Sequence, residues 1–301
     1  MTTAITKHPL PLIQEFHTSE LTANCLRSVY HRHKGETESS MTTALYRGLL
    51  AGAALEFLHG KHLDRNLCMT AVNQAAAKVE HVAQDENRPL SDSVTANLAD
   101  IHAEVFKVCE FYCGRFADPF AKCRIIGTEL PIRCDIDVDG EAIHFASHLD
   151  LLFRHPDSSL VFDDFKWREE TPTAQYLARN LQFAMYAYAL RFGEVQTPDG
   201  EWVSFAIWPI GRWIHLPGLK PYARNGPDYK AGEHRDIDKI IRTVPFDDSS
   251  EAPILNEFAQ RVRMARANFW PTNPDPVGCH ICDSRMFCTQ FTAGGISNEN
   301  Q

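Results

Sequence analysis

A chain of 301 residues with 44% hydrophobic and 23% charged residues can bury one large core or two modest ones, which excludes a disordered chain. No run approaches the ~18 consecutive apolar residues of a membrane span, and the amino terminus lacks a basic stretch followed by an apolar signal core. The expected location is therefore the cytoplasm, or the host cytoplasm for a phage-encoded protein. A formal charge of -9 excludes a surface coated in Lys and Arg for indiscriminate phosphate binding, while leaving room for a local basic track and for carboxylates that hold cations.

In chain order, a leader ends near His17 and Ser19 is placed to cap a helix over 20–33 that carries Cys25 and ends at Arg32, His33 and Lys34. Three helical stretches follow, at 42–60, 62–84 and 92–117, with breaks near Gly60 and Arg88-Pro89. The period then changes. Cys123 to Arg133, Ala142 to Phe153 and Leu160 to Trp167 read as strands, separated by turns at Asp139-Gly140 and His155-Pro156-Asp157. A helix over 173–191 stops at Gly193, and Trp202 to Trp208 reads as a further strand. From Gly211 to Val244 the pattern suggests loops around a short helix, before a firmer helix over 251–268 and a polar, disordered tail.

Alternating side chains place Asp164 and Lys166 on one face of the strand 160–167, with Asp163 and Phe165 on the other. A hairpin closing at His155 to Ser159 brings Asp150 beside Asp164. Phosphodiester hydrolysis needs oxygen ligands for hard cations and a positive group near the attacking water or the charge developing on phosphate, and these three residues supply that minimum. An isolated Asp-x-Lys is more often a salt bridge at a sheet edge.

The order Ser147-His148-Leu149-Asp150, Asp164-Phe165-Lys166, then Gln182 and Tyr186 on a helix resembles the RecB-like branch of the PD-(D/E)XK nuclease superfamily. That branch carries a Gly-x-x-Asp strand, an Asp-x-Lys strand and a Gln-x-x-x-Tyr helix. The resemblance implies an α/β fold with a restriction-endonuclease-like core, a central mixed sheet flanked by helices, together with a helical N-terminal insertion and a C-terminal cluster region. It implies Mg2+ or Mn2+ at Asp150 and Asp164, and Lys166 positioning water and stabilising transition-state charge. Gln182 and Tyr186 would orient the strand from a polar stripe that also includes Gln175 and Arg179, opposite Leu177, Leu181 and Met185. Glu129 matches an upstream acidic position as an extra ligand or supporting group. One departure is Gly52, which stands in Arg47-Gly48-Leu49-Leu50-Ala51-Gly52 where such members usually place a metal-binding His. Glu56 or His59 could substitute, or activity could be altered or lost.

Nine cysteines in a reducing compartment point to metal ligands rather than a disulfide framework. Cys68, Cys109, Cys113, Cys123 and Cys134 read as core residues. Cys279-His280-Ile281-Cys282 with Cys288 resembles the carboxyl-terminal half of the iron–sulfur variant found in CRISPR-associated exonucleases, and Cys25 occupies the place of its distant fourth ligand. The resemblance implies a 4Fe-4S cluster; Zn2+ at the same four-cysteine set, zinc completed by His280, and unligated thiols stay open.

Arg261, Arg263 and Arg266, with Arg27, Arg32 and Lys34, are candidates for a phosphate-tracking surface, whereas Trp202, Trp208 and Trp213 read as strand packing. The expectation is a single nuclease unit over 1–290, comprising a first cluster-ligand helix (19–34), a helical region (40–120), a nuclease core (121–210) and a C-terminal helix with the cysteines (250–290), then a tail over 291–301. It would act as an exonuclease on single-stranded or end-containing DNA, with a possible helicase, recombinase or integrase partner. The alternative is a weak or inactive DNA-binding partner that keeps the fold and cluster.

Overall fold

The computed structural model describes residues 15–17, 40–86, 88–167, 173–178, 180–216 and 240–267. In order these form β1 (Glu15–His17), α1 (Thr43–His59), α2 (Cys68–Asp85), α3 (Asp92–Ala96), α4 (Leu98–Ala121), β2 (Arg124–Val138), β3 (Glu141–Arg154) and β4 (Leu160–Lys166). Then come α5 (Ala174–Ala178), α6 (Leu181–Phe192), β5 (Glu194–Gln196), β6 (Trp202–Val203), β7 (Ile210–His215), β8 (Ile241–Pro245) and α7 (Glu251–Arg266). The helix expected over 20–33, and with it Cys25, lies outside the described residues, as do Cys279, Cys282 and Cys288.

The strands make one eight-stranded mixed sheet in the order β6-β5-β2-β3-β4-β7-β8, with β1 added in parallel to the start of β3. Its spine is the β2–β3 hairpin. Both turn residues take positive φ, 59° at Asp139 and 83° at Gly140, which is what a tight two-residue connection between twisted strands demands. β4 pairs with β3 only over Leu160–Asp163 and continues in parallel alongside β7.

Two cores sandwich the sheet. One face packs Leu130, Phe145, Leu149 and Phe162 against α6 and α7; the other packs Leu151, Phe153, Val161 and Phe165 against α1, α2 and α4. Burial on both faces explains why Leu160, Val161, Phe162 and Phe165 of β4 are all buried, and makes the charged residues between and after them, Asp163, Asp164 and Lys166, stand out.

Several boundaries differ from the sequence expectation. The helix expected from residue 62 starts at Cys68, because His62 and Leu63 both adopt positive φ and close a turn instead. The stretch 173–191 is two helices, the second begun by Asn180, whose Oδ1 accepts the Phe183 amide at 3.1 Å. The strand expected over 202–208 ends at Val203, and Ala206 at φ 53° is incompatible with its continuation. The next strand, β7, arose from a region read as loop. Gly211 is the reason: a Cβ there would sit 2.7 Å from Phe162 Cζ, so the residue that looked like a loop signal lets β7 slide under an aromatic pair.

The arginines of α7 are engaged with the protein. Arg263 grips Asp139 with two hydrogen bonds of 2.9 and 2.8 Å, Arg266 pairs with Glu141 at 2.8 Å, and Arg261 pairs with Glu257. Arg263 and Arg266 fasten α7 to the β2–β3 turn, and Arg261 pairs within α7; Arg27, Arg32 and Lys34, the other members of the expected phosphate track, lie outside the described residues. Trp202 lies under the Arg133 guanidinium and Trp213 is buried, in keeping with packing roles.

Asp163 is buried and receives two 2.6 Å hydrogen bonds from Arg212, which in turn lies over Phe153 and Phe120. Removing one member leaves the other charged and unpaired in an apolar layer. Arg212→Met is therefore expected to cost about 3–5 kcal/mol in urea denaturation, whereas Asp163→Val with Arg212→Met recovers most of it. Equal losses in the single and double variants would contradict this.

Candidate active site

The side-chain alternation of β3 slips at Asp150. Leu149 and Leu152 pack in one core while Leu151 and Phe153 pack in the other, so one register step is lost between them. The β2 partner strand is irregular at the same level: Thr128 pairs with Leu151 and Leu130 with Leu149, leaving Glu129 opposite Asp150 at φ 48°. A non-glycine residue there is strained by about 1–3 kcal/mol and is held by its surroundings. The β3–β4 ladder ends at Leu151–Asp163, and the Asp150 carboxylate takes the place of a backbone partner, accepting the Phe165 amide at 2.6 Å.

Asp164 and Lys166 stand on the β4 side of this split. Lys166 Nζ lies 2.7 Å from Asp164 Oδ1 as an ion pair, and that oxygen is shut off from solvent. Removing the ammonium would leave a buried carboxylate uncompensated. Burial and the neighbouring Asp164 raise the Asp150 pKa to about 8, with Lys166 and the Phe165 amide opposing the rise. Burial would lower Lys166, but Asp164, Asp150 and Tyr186 outweigh it and push its pKa up. Lys166 is thus a fixed cation and is unsuited to act as a base.

Glu129, Asp150 and Lys166 open into a cleft of about 420 Å3, roofed by α1 and α2. The α1 residues Tyr46, Leu50, Ala54 and Leu58 face the core, whereas Ala44, Gly48, Gly52 and Glu56, two positions out of phase, face the cleft. Glycine inside a helix costs about 1 kcal/mol relative to alanine. A Cβ at Gly52 would meet nothing within 4 Å and one at Gly48 only Trp167 at 4.0 Å, so protein packing does not require either glycine. Both glycines leave the cleft wall of α1 without side chains. Glu129 is solvent-exposed at the mouth; desolvation by the walls and the Glu56 carboxylate raise its pKa, against Lys78 and Lys166.

The remaining sequence candidates divide. Tyr186 is buried rather than part of a solvated stripe, edge-on to Phe162, with its hydroxyl accepting the Gln182 Nε2 hydrogen at 2.8 Å. Burial first, and the nearby Asp164 second, raise its pKa, so it stays a neutral phenol beside the acidic pair. Almost all of α6 is buried, which corrects the expectation of one polar face; Arg179 lies outside the described residues. His59 cannot stand in for the histidine replaced by Gly52. It is buried against Phe120, its Nε2 lies 3.0 Å from Tyr112 Oη, and burial with the Arg212 charge lowers its pKa to about 3. Glu56, by contrast, lines the cleft.

Sequence reasoning missed Lys78, which reaches from α2 into the same cleft, and the small-residue face of α1. The four-residue spacing of Ala44, Gly48 and Gly52 was the available signal.

The donor set fits a small hard cation in one respect and limits it in another. Asp150 and Asp164 offer two carboxylates close enough to influence one another, and Mg2+ is commonly held by one or two carboxylates with water completing its shell. Among the described residues no group of three or more His, Cys, Asp or Glu side chains stands at metal-ligand spacing.

A family model described as the PD-(D/E)XK nuclease superfamily matches residues 18–289. The solved structure described as "Crystal structure of SSO0001" aligns at 14% identity with a TM-score of 0.39, covering 92% of this chain and 86% of that one. No curated protein matches. The family match spans both sheet faces and every strand from β2 to β8, and its members generally use divalent metals such as Mg2+ or Mn2+. With the acidic pair and its lysine at the split between two central strands, the chain belongs to the PD-(D/E)XK nuclease superfamily.

Proposed function

We propose that this protein is a Mg2+- or Mn2+-dependent deoxyribonuclease of the RecB-like branch, an exonuclease acting on single-stranded or end-containing DNA. The observation that carries the reading is the buried Asp164 carboxylate, ion-paired at 2.7 Å with Lys166, which with Asp150 lines an open cleft. Asp150 and Asp164 would hold the cation, which when bound supplies Lewis-acid stabilisation of phosphate and a more acidic water. Lys166, kept protonated by its acidic neighbours, positions the attacking water and stabilises charge developing on phosphate. Gln182 and Tyr186 fix each other beside the pair and orient the strand; Glu129 supports the site from β2.

Cys25, Cys279, Cys282 and Cys288 lie outside the described residues, and the 4Fe-4S assignment rests on their sequence pattern, with Zn2+ as the alternative occupant. The location in the cytoplasm and a helicase, recombinase or integrase partner are readings of the same kind. Among the described residues no helix is long and apolar enough to cross a membrane.

Protein purified without oxygen should be brown, absorb near ~400 nm, and degrade end-labelled DNA with Mg2+ or Mn2+, while Lys166→Ala loses about 100-fold or more in rate. If neither form cuts with either metal and both bind DNA, the chain is a binding partner and Gly52 marks the loss. A colourless protein with stoichiometric zinc would remove the iron–sulfur assignment.

The raised pKa of Asp150 sets a second expectation. The metal-free fold binds this proton more tightly than the unfolded chain, so the contribution to stability is complete below about pH 4 and is lost as pH rises towards about 8. The cation competes with the same proton. Mg2+ should therefore raise the melting temperature more at about pH 8.5 than at about pH 6. A Mg2+ effect independent of pH, or one unchanged in Asp150→Asn, would contradict it.

A further inference from the structure

Among the described residues, Lys78 is the cleft cation that the catalytic reading leaves without a role. It rises from α2, the helix that forms the wall facing α1, and its Nζ lies 2.5 Å from Glu56 Oε2. Glu56 sits one turn after Gly52, on the same face of α1. Glu129 completes this corner from the sheet side, and the two carboxylates and the ammonium influence one another electrostatically.

We propose that Lys78 is a built-in cation of the cleft, occupying the Glu56–Glu129 corner so that the protein loads one divalent ion, at Asp150 and Asp164, and not two. The inference rests on the metal-dependent reading of the site and extends it to this chain's own stoichiometry. Two independent features support it besides the ion pair. The first is charge. Glu56, Glu129, Asp150 and Asp164 set four carboxylates against the ammoniums of Lys78 and Lys166, which leaves two formal negative charges, the complement of one divalent cation. Without Lys78 the same walls would hold an excess that a second cation would neutralise.

The second feature is the donor set. A cation at the Glu56 corner would draw on the carboxylates of Glu56 and Glu129, two donors as at the floor, because Gly52, the neighbouring position on the helix, contributes no side-chain atom. A tethered ammonium competes with a cation held by so few ligands, because it needs hydrogen-bond acceptors rather than a full coordination shell. The Lys78 side chain is 54% exposed, so it keeps N–H donors free for a phosphate of an entering strand while it neutralises Glu56. Lys166 cannot serve both corners, since it is held by Asp164 in the floor.

The test counts Mn2+ bound by the full-length, metal-stripped protein, using electron paramagnetic resonance of free Mn2+, with Asp164→Asn reporting binding outside the cleft. The wild type is expected to bind about one Mn2+ more than Asp164→Asn, and Lys78→Gln about one more than the wild type. Lys78→Arg, which keeps the charge, should bind as the wild type does. Thermal melts of the metal-free variants check that folding is unchanged. A wild type with two cleft ions, or a Lys78→Gln protein with the same number as the wild type, overturns the role of Lys78 and leaves the metal reading standing. A wild type no different from Asp164→Asn overturns both.

Discussion

Everything at the site depends on one lost step in the alternation of β3. A strand buried on both faces would normally carry every second side chain into the same core, and the switch between Leu149 and Leu151 interrupts that rule at Asp150. The strained Glu129 on β2 accompanies the switch, and the β3–β4 ladder stops one pair short of Asp164. A regular hairpin would have closed this gap with backbone hydrogen bonds. Here the Asp150 carboxylate satisfies the Phe165 amide instead, which brings Asp150 and Lys166 to the wall of an open cleft, with Asp164 buried against Lys166.

Two consecutive aspartates on β4 show how environment divides structural from functional charge. Asp163 and Asp164 are both almost fully buried. Asp163 is matched by a planar guanidinium that fills both of its oxygens, a geometry to which Arg is suited, and the pair is further enclosed by Phe153 and Phe120. Asp164 is paired through Oδ1 with an ammonium, a point charge rather than a fork that fills both oxygens. The first arrangement is complete in itself. The second stands beside the cleft that the glycine face of α1 lines, where the proposed cation would enter.

The sequence carried the hairpin and the acidic motif plainly, because Asp139-Gly140 and the flanking alternation are local signals, and strand periodicity alone puts Asp164 and Lys166 on one face. What it did not carry are the features made by distant residues. Arg263 reaches Asp139 across 124 positions, so the brace between α7 and the β2–β3 turn is invisible to local pattern. β7 was hidden because Gly211 and its neighbouring prolines look like loop, and only Phe162 and Phe183 together explain the glycine. The slip at Asp150 leaves no compositional mark at all. Lys78 read as one charge among many on a helix; its meaning comes from Glu56, contributed by another helix.

The most direct measurement is the anomalous scattering of Mn2+ in crystals of the protein. With the cation at the proposed site, a peak is expected about 2.1 Å from carboxylate oxygens of both Asp150 and Asp164, at the point where β3 and β4 separate. A peak held by Glu56 and Glu129 instead, or a loaded crystal with no peak in the cleft, would contradict it.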